Sequence, residues 1–295
     1  MNLQKMILLK FYIFAVSLIL PISLVSLLGR HEGLLKRCLT LFVLANLVCL
    51  ILYLGKLPFT VFLLLLTLTA VLEIAAGTKA SKLITGLLTA ASGGFYILIQ
   101  LVPDMRLVAL FLFGAASVLL FCLSLFSKPH SLNWLCSLFL VAPGFAMLSV
   151  VNQISLNHTL AILLLAQFND VAAYFVGKKF GKTKPAFLRQ LSPGKTLEGF
   201  AGGFLGTGLA LVLLATLLPL YRGQALIFRL LISGCVFFFF TNFGDLAFSA
   251  VKRKLGLKDF SRLLSGHGGL LDRFDSILYL APAYFVLLQS GIIME

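Results

Sequence analysis

Charge is scarce in this sequence, and negative charge is the scarcest. Of the 295 residues, 60% are hydrophobic, only 12% are charged, and just 10 are aspartate or glutamate. A soluble globule needs more polar surface than this, and the apolar runs are long enough to cross a bilayer. The composition therefore excludes an ordinary soluble protein and predicts a polytopic membrane protein with no soluble domain attached.

Barrel-like alternation of polar and apolar residues is missing from the long apolar runs. Inside hydrocarbon each segment must satisfy its own backbone hydrogen bonds, so continuous apolar runs form helices and not barrel strands. The sequence predicts an all-α, polytopic integral membrane protein with about nine or ten transmembrane helices. The candidate spans are 11–29, 38–55, 57–76, 83–102, 107–126, 131–151, 157–177, 199–220, 230–251 and 277–293.

Paired cysteines and nucleic-acid recognition modules are also absent. The five cysteines lie scattered through apolar spans without a C-x-x-C pair, which favours packed free thiols over disulfides or a zinc site. The net charge of +14 could suggest nucleic acid, but the basic residues flank membrane spans. Anionic lipid headgroups are therefore the expected neighbours, and we expect no nucleic-acid partner.

Basic residues give the expected orientation of the spans. Six lysines or arginines lie in each of the two long connections, 178–198 and 252–276. Under the positive-inside rule, both connections face the cytoplasm. The polar motifs are concentrated around them, which divides the chain into N-terminal transmembrane helices in residues 1–155 and a C-terminal region in residues 156–295.

Two acidic residues fall inside predicted spans of the C-terminal region. Asp170 lies in QFNDVAAYFVGKK and Asp245 in TNFGDLAFSAVKRK, each about two turns before a cytoplasmic helix end. Carboxylates within a membrane are costly and usually mark a function. The alternative is a buried acid that a neighbouring lysine or arginine neutralises.

Helical spacing places further polar groups beside Asp245. Asn242, Asp245, Ser249 and Lys252 follow one another at intervals of three, four and three residues, so they share one helix face. That face presents an amide, a carboxylate, a hydroxyl and an ammonium. Such a stripe within a membrane needs polar partners on another segment.

The stretch SGHGGLLDRFDS, residues 265–276, adds two more carboxylates. Asp272 and Asp275 are three residues apart at the start of the last span, after Gly268 and Gly269, which allow a ligand to approach the backbone closely. Together with Asp245 they suit a hard cation such as Mg²⁺. The alternative for Asp272 alone is a helix N-cap.

Two blocks of these residues resemble a known family. Residues 249–275, SAVKRKLGLKDFSRLLSGHGGLLDRFD, are similar to the signature of the phosphatidate cytidylyltransferases, the CDP-diacylglycerol synthases. The segments NDVAAYFVGKKFGK and SPGKTLEGFAGG resemble two upstream segments of that family. Two positions depart from the pattern: Ser265 stands where proline or glycine is usual, and Gly194 where lysine is common.

The resemblance implies an activity and its partners. Phosphatidate would attack the α-phosphorus of CTP to give CDP-diacylglycerol and pyrophosphate, with residues 156–295 as the catalytic region. Mg²⁺ would be held by Asp245 and Asp272, with Asp275 at the same or a second cation site. The expected partners are CTP, phosphatidate and membrane lipids. The expected location is the bacterial inner membrane, with the active site facing the cytoplasm.

The resemblance also implies roles for the other residues of the two blocks. Positive charges would offset the phosphates, Ser249 would contact a ligand or phosphate, and His267 would bond a phosphate, orient an aspartate or cap the loop. The positively charged catalytic candidates are Lys252, Arg253, Lys258 and Arg273. The substrate-binding candidates are Asp170, Ser192, Lys195, Thr196 and Glu198.

Other functions remain open at this point. A related CTP-dependent transferase could act on another membrane lipid phosphate or on a polyprenol. A cation-coupled transporter would also place acids such as Asp170 and Asp245 inside helices. Lys195 within SPGKT does not belong to a P-loop, because Arg189 stands where that motif needs glycine.

Two further features carry expectations. Glu73, near the cytoplasmic end of the third span, is either a functional acid or the partner of Lys79 and Lys82 at the interface, and the nearness of these lysines favours the pair. Glycines 199, 202, 203 and 206 form two overlapping G-x-x-x-G pairs. They permit close helix contact, either within one chain or across a homodimer.

Overall fold

A computed structural model of the protein describes residues 32–126, 130–218, 220–221, 225–261 and 268–293. Within these ranges the chain forms ten α-helices and one 3-10 turn, which confirms the all-α class. The expected span 11–29 lies outside the described residues. The helices are α1 (Glu32–Leu54), α2 (Lys56–Gly77), α3 (Lys82–Leu101), α4 (Met105–Phe126), α5 (His130–Ile154), α6 (Leu156–Phe180), α7 (Ala186–Leu191), α8 (Leu197–Leu217), α9 (Leu226–Lys254) and α10 (Asp275–Gln289), with the 3-10 turn at Leu271–Arg273.

The long helices match the remaining nine candidate spans, and their ends differ by a few residues. The tight separation of the second and third spans is real: α1 ends at Leu54, α2 begins at Lys56, and Gly55 turns between them with a φ of 117°. In the C-terminal region, α6 and α9 continue past the predicted span ends into the basic connections. The short helix α7 was not predicted.

Apolar length and surface make the protein an integral membrane protein. Among the described residues, α2, α3, α6, α8 and α9 are each long and apolar enough to cross a bilayer. Large apolar side chains lie exposed on these and neighbouring helices, including Phe111 on α4, Leu205 on α8 and Phe228 on α9. In water such surfaces would be a liability, but in lipid they are the expected outer face.

Helix α5 lies at the centre of the described bundle. It packs against α2, α3, α4, α6 and α10. At Gly144 the backbone of α10 comes so close that an added Cβ would lie 2.8 Å from the carbonyl oxygen of Leu278. A continuous apolar core therefore joins the two regions across the α5–α6 turn at Ser155, and the functional division at residue 155 stays a prediction.

Helices α6 and α8 pack along their length through the predicted glycines. An added Cβ at Gly202 would lie 2.5 Å from the Cβ of Val176, and one at Gly206 would lie 2.5 Å from the carbonyl oxygen of Phe168. Close packing within the chain therefore uses this glycine face. The homodimer stays a prediction.

Candidate active site

The polar stripe of α9 finds its expected partners. Asn242 donates from Nδ2 to the Asn169 Oδ1 of α6 at 3.0 Å, and both amides are buried. Thr207 of α8 contacts the same Asn169 oxygen at 3.5 Å. This network fixes α6, α8 and α9 against one another one turn away from Asp245.

Asp245 pairs with a lysine from the connection before α8. Lys195 Nζ lies 2.5 Å from Asp245 Oδ2, and both side chains are about one quarter to one third exposed. On the other side, Ser249 donates to Asp245 Oδ1 at 3.3 Å. The two sequence blocks that carried the family resemblance therefore meet at this carboxylate.

Asp272 is held more tightly, by a buried ion pair and by backbone. Lys252 Nζ donates to Asp272 Oδ1 at 2.7 Å, and the side chains are only 11% and 3% exposed. The amides of Phe260 and Gly269 donate to Oδ2 at 3.1 and 2.9 Å. Asp272 thus holds two parts of the connection between α9 and α10 together. It is not the N-cap of α10, because that residue is Phe274.

Asp170 and Asp275 complete a cluster of acids around Asp245. Asp275 is buried at the start of α10, where its Oδ1 accepts from the Ser276 amide at 2.8 Å. It interacts electrostatically with Asp170, Asp245 and Lys252. Asp170 is exposed on α6 and interacts with Asp245, Lys195 and Arg273. Three acidic side chains from three helices therefore share one region.

A close helix contact brings Asp275 to this place. An added Cβ at Gly244 would lie 2.7 Å from the carbonyl oxygen of Asp275. Because a larger residue would push α10 away from α9, the glycine before Asp245 is part of the geometry that gathers the carboxylates.

The remaining residues of the SPGKTLEG block shape their own loop. Thr196 is buried and caps α8, its hydroxyl accepting from the Gly199 amide at 3.0 Å. Glu198 accepts from the amides of Lys182 and Thr183 and from the Thr183 hydroxyl, at distances from 2.7 to 3.2 Å. Ser192 follows the end of α7. These contacts present Lys195 to Asp245, and the expected substrate contacts of the three residues stay predictions.

The other positively charged candidates are placed differently. Arg253 donates to the carbonyl oxygens of Leu191 and Leu257 at 3.2 and 3.3 Å, which ties α7 to the end of α9. Lys258 is exposed in the connection. His267 lies outside the described residues.

Glu73 corrects an expectation from the sequence. It does not serve an interfacial pair with Lys79 or Lys82; it is buried and accepts three hydrogen bonds from the α9–α10 connection. Its Oε1 accepts from the Ser261 hydroxyl at 2.6 Å and the Leu270 amide at 2.9 Å, and its Oε2 from the Leu271 amide at 3.0 Å.

Helix geometry explains why the sequence suggested the wrong partner for Glu73. Lys79 and Lys82 are exposed beyond the end of α2, whereas Glu73 faces inward. The signal that could have found this is the face that Glu73 shares with Leu66, Ala70 and Gly77, at helical intervals of four and three residues. A helix face of apolar and small residues predicts close packing, not a solvated pair.

The acid cluster fits a hard cation in part. Among the residues that the structure describes, no three His, Cys, Asp or Glu side chains form a ready metal-ligand group. The mutual repulsion of Asp170, Asp245 and Asp275 nevertheless favours a cation between them. Both oxygens of Asp272 are already engaged, so Asp272 would have to exchange Lys252 for a metal. The assignment of Asp245, Asp272 and Asp275 as ligands stays a prediction.

The arrangement suits the binding of polyanions at the membrane surface. Lys195 and Lys252 pair with carboxylates that can release them to phosphates, and Arg273 adds positive charge near Asp170. Such a site can align charged groups and offset their repulsion, which is what phosphoryl or nucleotidyl transfer requires.

Comparison with known proteins gives the family. The model of the cytidylyltransferase family matches residues 35–290. A protein of Escherichia coli K12, "Uncharacterized protein YnbB", is 40% identical over 161 residues, which are 53% of this chain and 52% of that protein.

Two relatives carry a named activity. The phosphatidate cytidylyltransferase of Staphylococcus epidermidis RP62A is 36% identical over 163 residues, or 55% of this chain and 61% of that protein. That of Bacillus subtilis 168 is 40% identical over 143 residues, or 47% and 49%. The matches thus span between one half and three fifths of these curated relatives. Because the family model matches most of the chain, the protein belongs to the cytidylyltransferase family, as its two sequence blocks predicted.

Proposed function

We propose that the protein is a CTP:phosphatidate cytidylyltransferase, which transfers CMP from CTP to phosphatidate to give CDP-diacylglycerol and pyrophosphate in phospholipid biosynthesis. The observation that carries the proposal is that Lys195 from one signature block and Ser249 from the other both contact Asp245, in a member of the cytidylyltransferase family. Two relatives named for this reaction support the choice of substrate.

The depth of the site suits one water-soluble and one membrane-bound substrate. Asp170 and Asp245 lie about two helical turns before the basic ends of α6 and α9. Phosphatidate keeps its acyl chains in the bilayer and its headgroup at the interface, and CTP arrives from the cytoplasm. We therefore place the protein in the bacterial inner membrane, with connections 178–198 and 252–276 on the cytoplasmic side.

The chemistry needs alignment and charge neutralisation more than a strong base. The attacking phosphate oxygen of phosphatidate is already anionic near neutral pH, and it forms the new bond to the α-phosphorus of CTP as pyrophosphate leaves. Lys195, Lys252 and Arg273 would offset the phosphate charges, and the two lysines would each leave the carboxylate that now pairs with it. Ser249, which bonds Asp245, would orient that carboxylate or donate to a phosphate.

Mg²⁺ is the proposed cofactor, with a second cation left open. Asp245 and Asp275 would hold it, joined by Asp272 once Lys252 turns to substrate, and Asp170 would add charge nearby. When bound, the ion would stabilise charge on the transferring phosphate and on pyrophosphate. The protein side chains would fix where the ion sits relative to the two phosphates.

Conversion of substrates by the purified protein tests the function. Detergent-purified protein is incubated with Mg²⁺, CTP and phosphatidate, and CDP-lipid and pyrophosphate are measured. We expect both products in equal amounts and their loss with chelator. Product from another lipid phosphate or a polyprenol but not from phosphatidate would overturn the substrate. Activity that chelator leaves unchanged would overturn the metal.

Thiol labelling tests the orientation. In a cysteine-free background, single cysteines at Lys182 and Lys258, both exposed in the structure, should resist membrane-impermeant reagents added to sealed cells. They should react once the membrane is opened. Ready labelling from outside at either position would place the connections on the other side.

A further inference from the structure

We infer that Glu73, in the N-terminal region, is a positioning residue that sets the geometry of the active-site connection between α9 and α10. This inference rests on the proposed function for its kinetic test. The carboxylate makes three hydrogen bonds, one to Ser261 and two to the consecutive amides of Leu270 and Leu271. It therefore contacts the connection at two places, one before and one after residues 262–267.

A second carboxylate, that of Asp272, binds the connection on the same two sides of residues 262–267. Asp272 Oδ2 accepts from the Phe260 and Gly269 amides, each one residue away from a donor to Glu73. Gly269 separates the two carboxylates: an added Cβ would lie 2.8 Å from Glu73 Oε2 and 3.0 Å from Asp272 Oδ2. The position of Glu73 is thus transmitted to Asp272 through a few backbone atoms.

The connection leads directly into the charged groups of the site. Asp272 follows Leu271 in sequence and pairs with Lys252, which is 8% exposed. A shift of the backbone at Leu270 and Leu271 would move Asp272, its lysine and the start of α10 together. Misplacement by about 1 Å can cost on the order of 10²-fold in rate, so a residue that touches no substrate can control turnover.

Helix α2 is a suitable support for this purpose. Gly77, one turn after Glu73, lies against the same connection: an added Cβ would meet the Leu257 Cδ1 at 2.7 Å. The two contacts fix both the distance and the rotation of α2 relative to the connection. A role for the N-terminal region in the reaction follows from this packing.

The test removes the hydrogen bonds of Glu73 by graded substitutions, and it measures turnover and the hydrogen exchange of backbone amides. Glu73→Ala removes both carboxylate oxygens and so all three hydrogen bonds. Glu73→Gln keeps the shape but turns a donor toward one of the three N–H or O–H groups, and Ser261→Ala removes one bond. Asp104→Asn, an exposed acid between α3 and α4, is the matched control. Each variant is compared as folded protein in the same detergent.

We expect kcat to fall about 10²-fold for Glu73→Ala, less for Glu73→Gln and least for Ser261→Ala. KM for CTP should stay within about threefold of the parental value, because Glu73 positions groups and does not bind the nucleotide. Asp104→Asn should change neither constant. If Glu73→Ala lowered thermal stability but left kcat of the folded fraction unchanged, the positioning role would be wrong.

Hydrogen exchange gives a readout that does not depend on activity. In Glu73→Ala the Leu270 and Leu271 amides should exchange about tenfold faster or more. The Gly269 and Phe260 amides, which bond Asp272 and not Glu73, should also exchange faster if the effect is transmitted. Faster exchange confined to Leu270 and Leu271, or none, would overturn the inference. If the parental protein made no CDP-lipid, the proposed function would fail and exchange alone would decide the role of Glu73.

Discussion

The two regions of the molecule use polar side chains in opposite ways. Between α3 and α5 the polar groups are neutral and satisfy one another: Gln153 donates to Gln100 Oε1 at 2.8 Å, and Ser149 contacts the same oxygen at 3.3 Å. Between α6, α9 and α10 the neutral Asn169–Asn242 contact lies beside ionisable groups, and three acidic side chains share one region with lysines and an arginine.

The comparison distinguishes polar groups that hold helices together from polar groups that are suited to bind a ligand. A neutral network closed on itself lowers the cost of burying amides and hydroxyls and needs nothing from outside. Clustered like charges inside a membrane are costly and become favourable only with further counter-charge or a polyanion for the lysines. Glu73 is the exception in the N-terminal region, and it serves the charged site.

Removing one charge from the cluster should give the largest effect on activity. We expect Asp245→Asn to lower turnover on the order of 10²- to 10³-fold, because charge stabilisation at the reacting phosphates is lost. Thermal stability in detergent should change little. Initial rates measured against Mg²⁺ concentration give the answer.

The matched change in the other region is Gln100→Leu. It should lower thermal stability, since three groups on α5 each lose a hydrogen-bond partner. Turnover of the folded protein should stay near parental. A near-parental rate for Asp245→Asn at low Mg²⁺ would remove the contrast between the regions.

Breaking the buried Lys252–Asp272 pair should cost both activity and stability. Lys252→Met leaves a buried carboxylate without its partner, a change that typically costs about 3 kcal/mol or more. The double variant with Asp272→Asn should recover much of the stability but not the turnover. Thermal unfolding and rates of the single and double variants test this, and recovery of both properties together would show that the pair is only structural.

Adding a side-chain carbon within the close contact between α6 and α8 should lower stability. Gly206→Ala places a Cβ against the Phe168 carbonyl, and we expect a loss of about 1–3 kcal/mol. Gly208→Ala, on the exposed face of the same helix with nothing within 4 Å, is the control and should be near neutral. Equal melting temperatures for the two variants would contradict the close contact.

Removing an exposed acid from the signature should have a smaller effect. Asp259 is exposed beside Lys258, so Asp259→Asn should lower turnover by no more than about fivefold, which corresponds to an exposed ion pair worth under about 1 kcal/mol. The measurement is the initial rate at saturating Mg²⁺. A loss as large as that of Asp245→Asn would move Asp259 into the active site.

Filling space on the outer face of the N-terminal region should have the smallest effect. Gly94→Ala in α3 meets nothing within 4 Å and should leave rate and melting temperature unchanged. Gly144→Ala in α5 is the informative partner, because its Cβ would press on the Leu278 backbone of α10 and should lower stability. If both were neutral, the regions would be less tightly joined than the structure shows.

The sequence by itself determined the class of the fold and the register of the polar face. Long apolar runs permit only helices in hydrocarbon, and the helical repeat puts Asn242, Asp245, Ser249 and Lys252 on one face of α9 wherever that helix packs. The spacing of the signature also indicated the family. These properties depend on residues near one another in the chain.

Only the tertiary structure decided which charge meets which. Lys195 with Asp245, the amides that hold Asp272, and Glu73 with a loop nearly two hundred residues away are contacts between segments far apart in sequence. Nearness in sequence suggested Lys79 and Lys82 for Glu73, but the rotation of α2 turned the carboxylate toward the bundle. Local sequence patterns indicate that a buried charge needs a partner. The packing of the helices determines which partner it is, because lipid is nearly the same environment for every apolar helix face.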